Sequence, residues 1–355
     1  MKKIEINEDF LLNLPKTDLH CHLDGSLRLE TILSLAEEQK ITLPAEDPEG
    51  IANIVVMENG KATSLDEYLK AFDLTLMVLQ TPESLSRVAY ELLEDCAREN
   101  VWYVEVRFSP ILHTKGTMKL VQVMDAVIDG LTRGEREFGV KWGIIICGIR
   151  DMSPAISQKL AELCIAYKYR GVVGFDLAGS EEQHPAKEHI DAFYTIINNN
   201  INCTVHAGES FGPESIHQAL HYLQAHRLGH AVRLKESGDL LNYVNDHRVP
   251  LEICLTSNVQ TGAIPSLSHH PLRFYYDYGL RVTINTDNRL MSNTTVTKEY
   301  YQVVKHLNFT LDEIRNLVIF GFKSTFLPYH HKVKMLNAAL KQLNEICAVK
   351  AEERL

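Results

Sequence analysis

The chain has 355 residues, 45% hydrophobic and 23% charged, a balance that fills a sizeable core and excludes a disordered or fibrous chain. Its formal net charge is −10, from 36 Lys and Arg against 46 Asp and Glu. That balance argues against a nucleic-acid partner, which is held by clustered cations, and favours a small uncharged or weakly charged ligand.

The amino-terminal stretch MKKIEINEDFLLNLPK breaks each short apolar run with a charge or an Asn, so it lacks the apolar centre of a signal peptide. No run anywhere approaches the ~18 apolar residues of a membrane helix. A cytoplasmic protein that avoids the membrane is expected. Residues 16–23, KTDLHCHL, form the first strand candidate; alternation places His20 and His22 on one face and Cys21 on the other. A long gap follows, and an insertion of helices over about 28–100 is expected. Within it SLDEYLKAFDLTLMVLQ carries an apolar face of Leu65, Leu69, Phe72 and Leu76, suited to packing on the core or to covering a ligand. Residues 83–99 show helical spacing of Leu85, Val88, Leu92 and Cys96; residues 118–138 repeat it with Met118, Val121, Met124, Ile128 and Leu131. Seven further strand candidates are VWYVEVRFSP, KWGIIICGI, GVVGFDLAG, INCTVHAGE, AHRLGHAV, VPLEICLTSN and LRVTINTDN. Eight apolar strands alternating with helices predict an α/β chain of the (β/α)8 TIM barrel type, with a doubly wound open sheet as the alternative. No repeat or linker divides the chain, so residues 1–355 are read as one domain. The cysteines at 21, 96, 147, 164, 203, 254 and 347 are odd in number and lack CxxC spacing, which favours buried thiols over a disulfide framework or zinc ribbon.

In such a barrel the chemistry gathers at the carboxyl ends of the strands. The first candidate ends in His20, His22 and Asp24, the fourth in Asp176 and Gly179, the fifth in His206 and Glu209, the sixth in His230, and the eighth in Asp287 and Asn288. Three imidazoles and a carboxylate, His20, His22, His206 and Asp287, make a zinc shell with room for water. Singly, each has an ordinary reading: a hydrogen-bonded strand-end His, a helix-start acid at Glu209, a core His230, a capping Asp287. Their joint placement favours the metal. His217 and His221 lie along a helix pattern, and His269 and His270 precede Pro271 in a loop where solvation is expected. GxxxxGK[ST], GxGxxG and GxSxG are all missing.

In order, PKTDLHCHLDGS, VEVRFSP, GFDLAGSE, HAGES, RLGHAVRL, LEICLTSN and VTINTDN resemble the motifs of the adenosine deaminase family of the amidohydrolase superfamily, over about residues 14–288. The resemblance implies a (β/α)8 barrel with one Zn2+ per subunit on His20, His22, His206 and Asp287, and Glu209 and His230 as catalytic groups. It also implies substrate contacts from His22, Asp24, Gly179 and Asn288. Where the family commonly has two adjacent aspartates, this chain has Asp287 and Asn288; an amide donates a hydrogen bond whatever the pH, so it suits purine N7. GFDLAGSE lacks the lysine that bridges two metals in dinuclear relatives, which favours a single ion. The implied reaction deaminates adenosine and 2′-deoxyadenosine to the inosines, with Glu209 protonating N1 and His230 orienting the attacking oxygen. Asp24 would meet ribose and the Gly179 N–H would meet N3. The implied partner is a purine nucleoside, with no nucleic acid or membrane. Rivals are a deaminase of adenine, of an adenosine thioether or of aminodeoxyfutalosine, a silent zinc-binding barrel, and a two-metal phosphoesterase or lactonase.

Overall fold

The computed structural model describes residues 6–57 and 64–352, with side chains as far as residue 346. Eight strands form one parallel sheet in sequence order: β1 Lys16–His22, β2 Val101–Phe108, β3 Lys141–Ile149, β4 Val172–Ala178, β5 Asn202–Ala207, β6 Arg227–His230, β7 Leu251–Ile253 and β8 Val282–Ile284. The segment after β8 returns to β1: the His22 amide donates to the Asp287 carbonyl and the Asp287 amide donates to the His20 carbonyl, both at 2.7 Å. Because neighbours never reverse order, the molecule is a (β/α)8 barrel and not the open doubly wound sheet.

The outer helices follow their local signals. Helix Pro82–Arg98 starts at a Thr81 cap with Pro82 in its first turn, and buries Leu85, Val88, Leu92 and Cys96 on one side. Helix Leu120–Phe138 buries Val123, Met124, Val127 and Leu131 and closes on Gly139 at φ 78°. Met124 and Leu131 lie on the buried face as expected, whereas Val121 is 48% exposed and Met118 precedes the helix. Cys21, Cys96, Cys147, Cys164, Cys203 and Cys254 are buried free thiols. Among the described residues no helix is long and apolar enough to cross a membrane.

Two late strands end sooner than the strand candidates VPLEICLTSN and LRVTINTDN suggest. After β7 the chain turns into helix Leu255–Gln260, which takes TSN with it. After β8 the Asn285 side chain replaces the ladder: its Oδ1 accepts the Leu19 amide at 2.9 Å, and its Nδ2 donates to Ile253 and Thr283 carbonyls at 3.3 Å. The backbone is thereby released to bend.

Between β1 and β2 lie helices Leu29–Gln39, Pro48–Val55, Leu65–Leu69 and Phe72–Val78 before Pro82–Arg98. The single stripe read across 64–80 is split in two at Lys70 and Ala71. Tyr68 Oη lies 3.1 Å from Ser292 Oγ and the Met57 amide donates to the Met291 carbonyl at 2.7 Å, tying this region to the segment following β8.

Inside the barrel the strands bury charge. Arg107 bridges Asp176 (3.0 Å) and Glu252 (2.8 Å), and Arg227 donates to Glu252 (2.6 Å) and pairs with Glu105. All five are at most 1% exposed. Buried charges persist only when paired, and this lattice is the floor on which the site stands.

Candidate active site

His20 and His22 leave β1 on the same side, with ring centroids 5.4 Å apart, while Cys21 faces away into the core beside Ser26. The alternation of a strand therefore delivers two imidazoles to one place. His206 at the end of β5 joins them: its Nε2 is 3.2 Å from His22 Nε2. Asp287 closes the group, with Oδ1 3.3 Å from the Nε2 of both His20 and His22. Asp287 and His230 both take left-handed backbone, at φ 60° and 62°. Such geometry costs a non-glycine residue about 1–2 kcal/mol, and here it turns the side chain at a strand end into the barrel mouth.

Each inner nitrogen is held from behind. His20 Nδ1 contacts Glu252 Oε2 at 2.9 Å, and His206 Nδ1 contacts Asp176 Oδ2 at 3.0 Å. A carboxylate on Nδ1 fixes the tautomer with its lone pair on Nε2, the arrangement of a metal-ligating histidine. Ser257 donates to Asp287 Oδ2 at 2.6 Å, leaving Oδ1 turned to the histidines. Gly229 makes room for them: a Cβ there would come within 3.1 Å of His20 Cε1 and 3.2 Å of the His206 backbone.

The electrostatics suit a cation. Burial, then Arg107, lowers the His20 pKa to about 4, and burial likewise drives His22 well below its ordinary value. Asp287 stays well below the usual carboxylate range, burial notwithstanding, because His20 and His22 face it. Burial opposes charge on His206, but Asp176 outweighs it and raises its pKa. Uncharged His20 and His22 beside an ionised Asp287 are what a divalent metal requires. His20 Nε2 is buried with no hydrogen-bond partner, a position that a metal ion fits.

Ligand atoms of His20, His206, His230 and Asp287 all lie within 4.8 Å of one another, so five groups converge in all. They divide by direction. The Nε2 atoms of His20, His22 and His206 meet around Asp287, whereas His230 Nε2 faces Glu209 Oε2 at 3.6 Å and its Nδ1 faces Asn258. Glu209 is 4% exposed, and burial raises its pKa, with His230 opposing. Glu181 holds the turn that carries it, accepting the amides of Gly208, Glu209 and Ser210 at 2.7–3.0 Å.

Beside these groups opens a cavity of about 470 Å3, lined by His22, Asp24 and Gly179 and, from the span between β1 and β2, by Leu69, Phe72 and Leu76. Asp24 Oδ1 and Asn288 Oδ1 are buried without partners. Gly179 takes φ 101°, open to a glycine alone without strain. Asp176, grouped with the mouth residues by sequence, instead lies beneath His206. His270, expected in solvent, is 4% exposed and hydrogen-bonded to Asn258. Glu252, Ser257, Asn258, Thr261 and Glu181 also support the site, although no sequence pattern assigns them a role. Charged residues at inward positions of apolar strands, as in VEVRF, HRLG and LEIC, are the signal that could have revealed the floor.

An adenosine deaminase family model matches residues 15–342. A probable adenosine deaminase of Dictyostelium discoideum is 40% identical over 342 residues, covering 96% of this chain and 44% of the relative, so the chain spans less than half of that protein. An adenosine deaminase of Mycobacterium ulcerans is 39% identical, with 94% of this chain and 96% of the relative covered. Among solved structures, an adenine deaminase from Arthrobacter aurescens superposes with a TM-score of 0.87 at 28% identity, covering 94% of this chain and 98% of the other. A parallel barrel, a nest of imidazoles at its mouth and a match along nearly the whole chain agree: the chain belongs to the adenosine deaminase family.

Proposed function

We propose that the chain, acting as one hydrolase domain, deaminates adenosine and 2′-deoxyadenosine to inosine and 2′-deoxyinosine with release of ammonia, using one zinc ion on His20, His22, His206 and Asp287. The observation that carries this reading is that His20 and His22 turn Nε2 to Asp287 Oδ1, with His206 Nε2 against His22 Nε2, next to a buried Glu209 whose pKa is raised. A zinc ion held there would supply Lewis acidity that makes water a competent nucleophile near neutral pH.

The chain's own groups do the rest. As water adds to C6 of the purine, N1 must take a proton, and Glu209, whose carboxyl burial shifts toward the protonated form, delivers it. His230 orients that water and Asp287 takes its proton, which passes to the C6 amino nitrogen as the C6–N bond breaks and ammonia leaves. Asp24 binds a ribose hydroxyl with its unpartnered oxygen, the Gly179 N–H reaches N3, and the Asn288 amide donates to N7. His22 borders both the metal and the substrate cavity.

The cavity favours a nucleoside over a nucleotide. Asp24, Asp66, Asp73, Asp151 and Glu182 line it, and among the described residues no Lys or Arg does. A 5′-phosphate carries about −2 near neutral pH and would meet carboxylates without a compensating cation. A second reading, deamination of free adenine, is favoured by the likeness to the Arthrobacter enzyme. Purified protein assayed by ultraviolet change with adenosine, adenine and AMP separates the three. Adenosine is the expected substrate; turnover of adenine or AMP alone would overturn the nucleoside reading. Glu209→Gln should retain zinc and lose about 100-fold or more in kcat, and an undiminished kcat would remove Glu209 from its role.

A further inference from the structure

His270 sits just before helix Leu272–Tyr278, and its Nδ1 lies 3.0 Å from the Leu272 backbone nitrogen. A backbone N–H can only donate, so this Nδ1 must hold a lone pair. Burial, with Lys235 and His230 adding to it, lowers the pKa of this imidazole to about 3, so the ring is neutral and its proton is on Nε2. Nε2 is 3.2 Å from Asn258 Oδ1 and donates to it. That bond fixes which way the amide faces. Asn258 Nδ2, the opposite end, donates to Glu209 Oε1 at 3.2 Å and to His230 Nδ1 at 3.0 Å.

The consequences reach both catalytic groups. Glu209 Oε1 already accepts from Asn258, and it accepts again from Thr261 Oγ1 at 2.9 Å. With that oxygen occupied by two donors, the proton of a neutral Glu209 resides on Oε2, the oxygen facing His230 Nε2. Since His230 Nδ1 accepts, the His230 proton is on Nε2, and the ring meets the site as a donor. Proton acceptance from water then falls to Asp287.

We infer that His270 is a positioning residue that, through Asn258, dictates which oxygen of Glu209 carries the transferred proton and which nitrogen of His230 donates. His270 belongs neither to the cavity lining nor to the metal group, and its side-chain bond toward the site is the one to the Asn258 amide. A reversed Asn258 would set its Oδ1 against Glu209 Oε1 and the His230 Nδ1 lone pair, drawing the Glu209 proton to the wrong side. The inference rests on the reading of Glu209 as the acid.

Zinc-loaded protein with 15N-labelled histidine provides the test. The wild type should show His270 and His230 both protonated at Nε2 alone; a His270 protonated at Nδ1 overturns the relay, whatever the enzyme does. In kinetics, H270F removes the donor and should lower kcat about tenfold or more with KM nearly unchanged. H270Q, which keeps an N–H at the Nε2 position, should recover most of that loss. Adding H270F to N258L should cost nothing beyond N258L, because the relay is already cut. Equal losses in H270F and H270Q, or additive losses in the double variant, overturn the inference. If H270F does not fold, the labelled wild type and H270Q still decide. A wild type inert toward adenosine would instead defeat the functional reading, leaving the tautomers to report on the relay alone.

Discussion

Glu252→Gln probes the floor of the site. Glu252 is fully buried and accepts four hydrogen bonds: His20 Nδ1 (2.9 Å) and Arg107 (2.8 Å) on Oε2, Arg227 (2.6 Å) and Thr204 (3.0 Å) on Oε1. Burial disfavours its charge, yet Arg107 and Arg227 outweigh burial and hold its pKa well below the carboxylate norm. An amide must place its NH2 on one side or the other, facing either Arg227 or the pair of His20 and Arg107. Breaking a buried pair from one side costs about 3–5 kcal/mol. Arg107 keeps Asp176 and Arg227 keeps Glu105, so the lower end, about 3 kcal/mol, is expected. His20 also loses the acceptor that fixes its tautomer, and zinc affinity should fall about 10–100-fold. Metal-free protein titrated with zinc against a competing chelator measures the affinity, and thermal unfolding measures the stability. Glu105→Gln is the control: it removes the same charge from Arg227 without touching His20, so it should destabilise while leaving affinity intact. Zinc affinity unchanged in Glu252→Gln, or weakened equally in Glu105→Gln, would refute the reasoning.

Two further outcomes follow from individual contacts. Ser257→Ala deletes the 2.6 Å bond to Asp287 Oδ2; a buried hydrogen bond to a charged group contributes about 1.5–3 kcal/mol, so zinc should bind roughly tenfold or more weakly in the same titration, and wild-type affinity would dismiss this anchor. Glu299, buried against Thr256 and Thr294, has its pKa raised by burial from 4.5 to about 7. Between those values the folded chain holds a proton that the unfolded chain has released, so its contribution is complete below pH 4.5 and is lost as pH rises through about 7. The amount at stake is about 3 kcal/mol. Relative to wild type, Glu299→Gln should therefore gain stability in denaturant melts on going from pH 4.5 to pH 8; a constant difference would contradict the assignment.

The barrel was legible because each strand is a short apolar run that ends in polar residues, and the period of two in DLHCH separates His20 and His22 from Cys21 without ambiguity. The ends of β7 and β8 were not: in LEICLTSN the apolar Cys254 and Leu255 run past the bend, and in VTINTDN nothing local separates Asn285 from an ordinary strand residue. There the Asn285 side chain, which no periodicity reveals, ends the ladder. The residues that face inward at the mouth are marked by their shared position at the ends of strand candidates. Those that hold them in place are not: Ser257 and Asn258 read as ordinary helix polar residues, and His270 reads as a loop residue, because burial 12 residues away from its partner leaves no local mark.

The ionic lattice under the histidines has a bearing on how this molecule can be altered. An aliphatic replacement of matched volume for buried ion pairs is often neutral or stabilising, so a library selected for heat resistance should drift toward apolar barrel interiors. Such variants would keep their shape while their imidazoles lost the anchors that aim them. Robustness and turnover thus pull the same five positions in opposite directions, and improving either one safely requires leaving 105, 107, 176, 227 and 252 untouched.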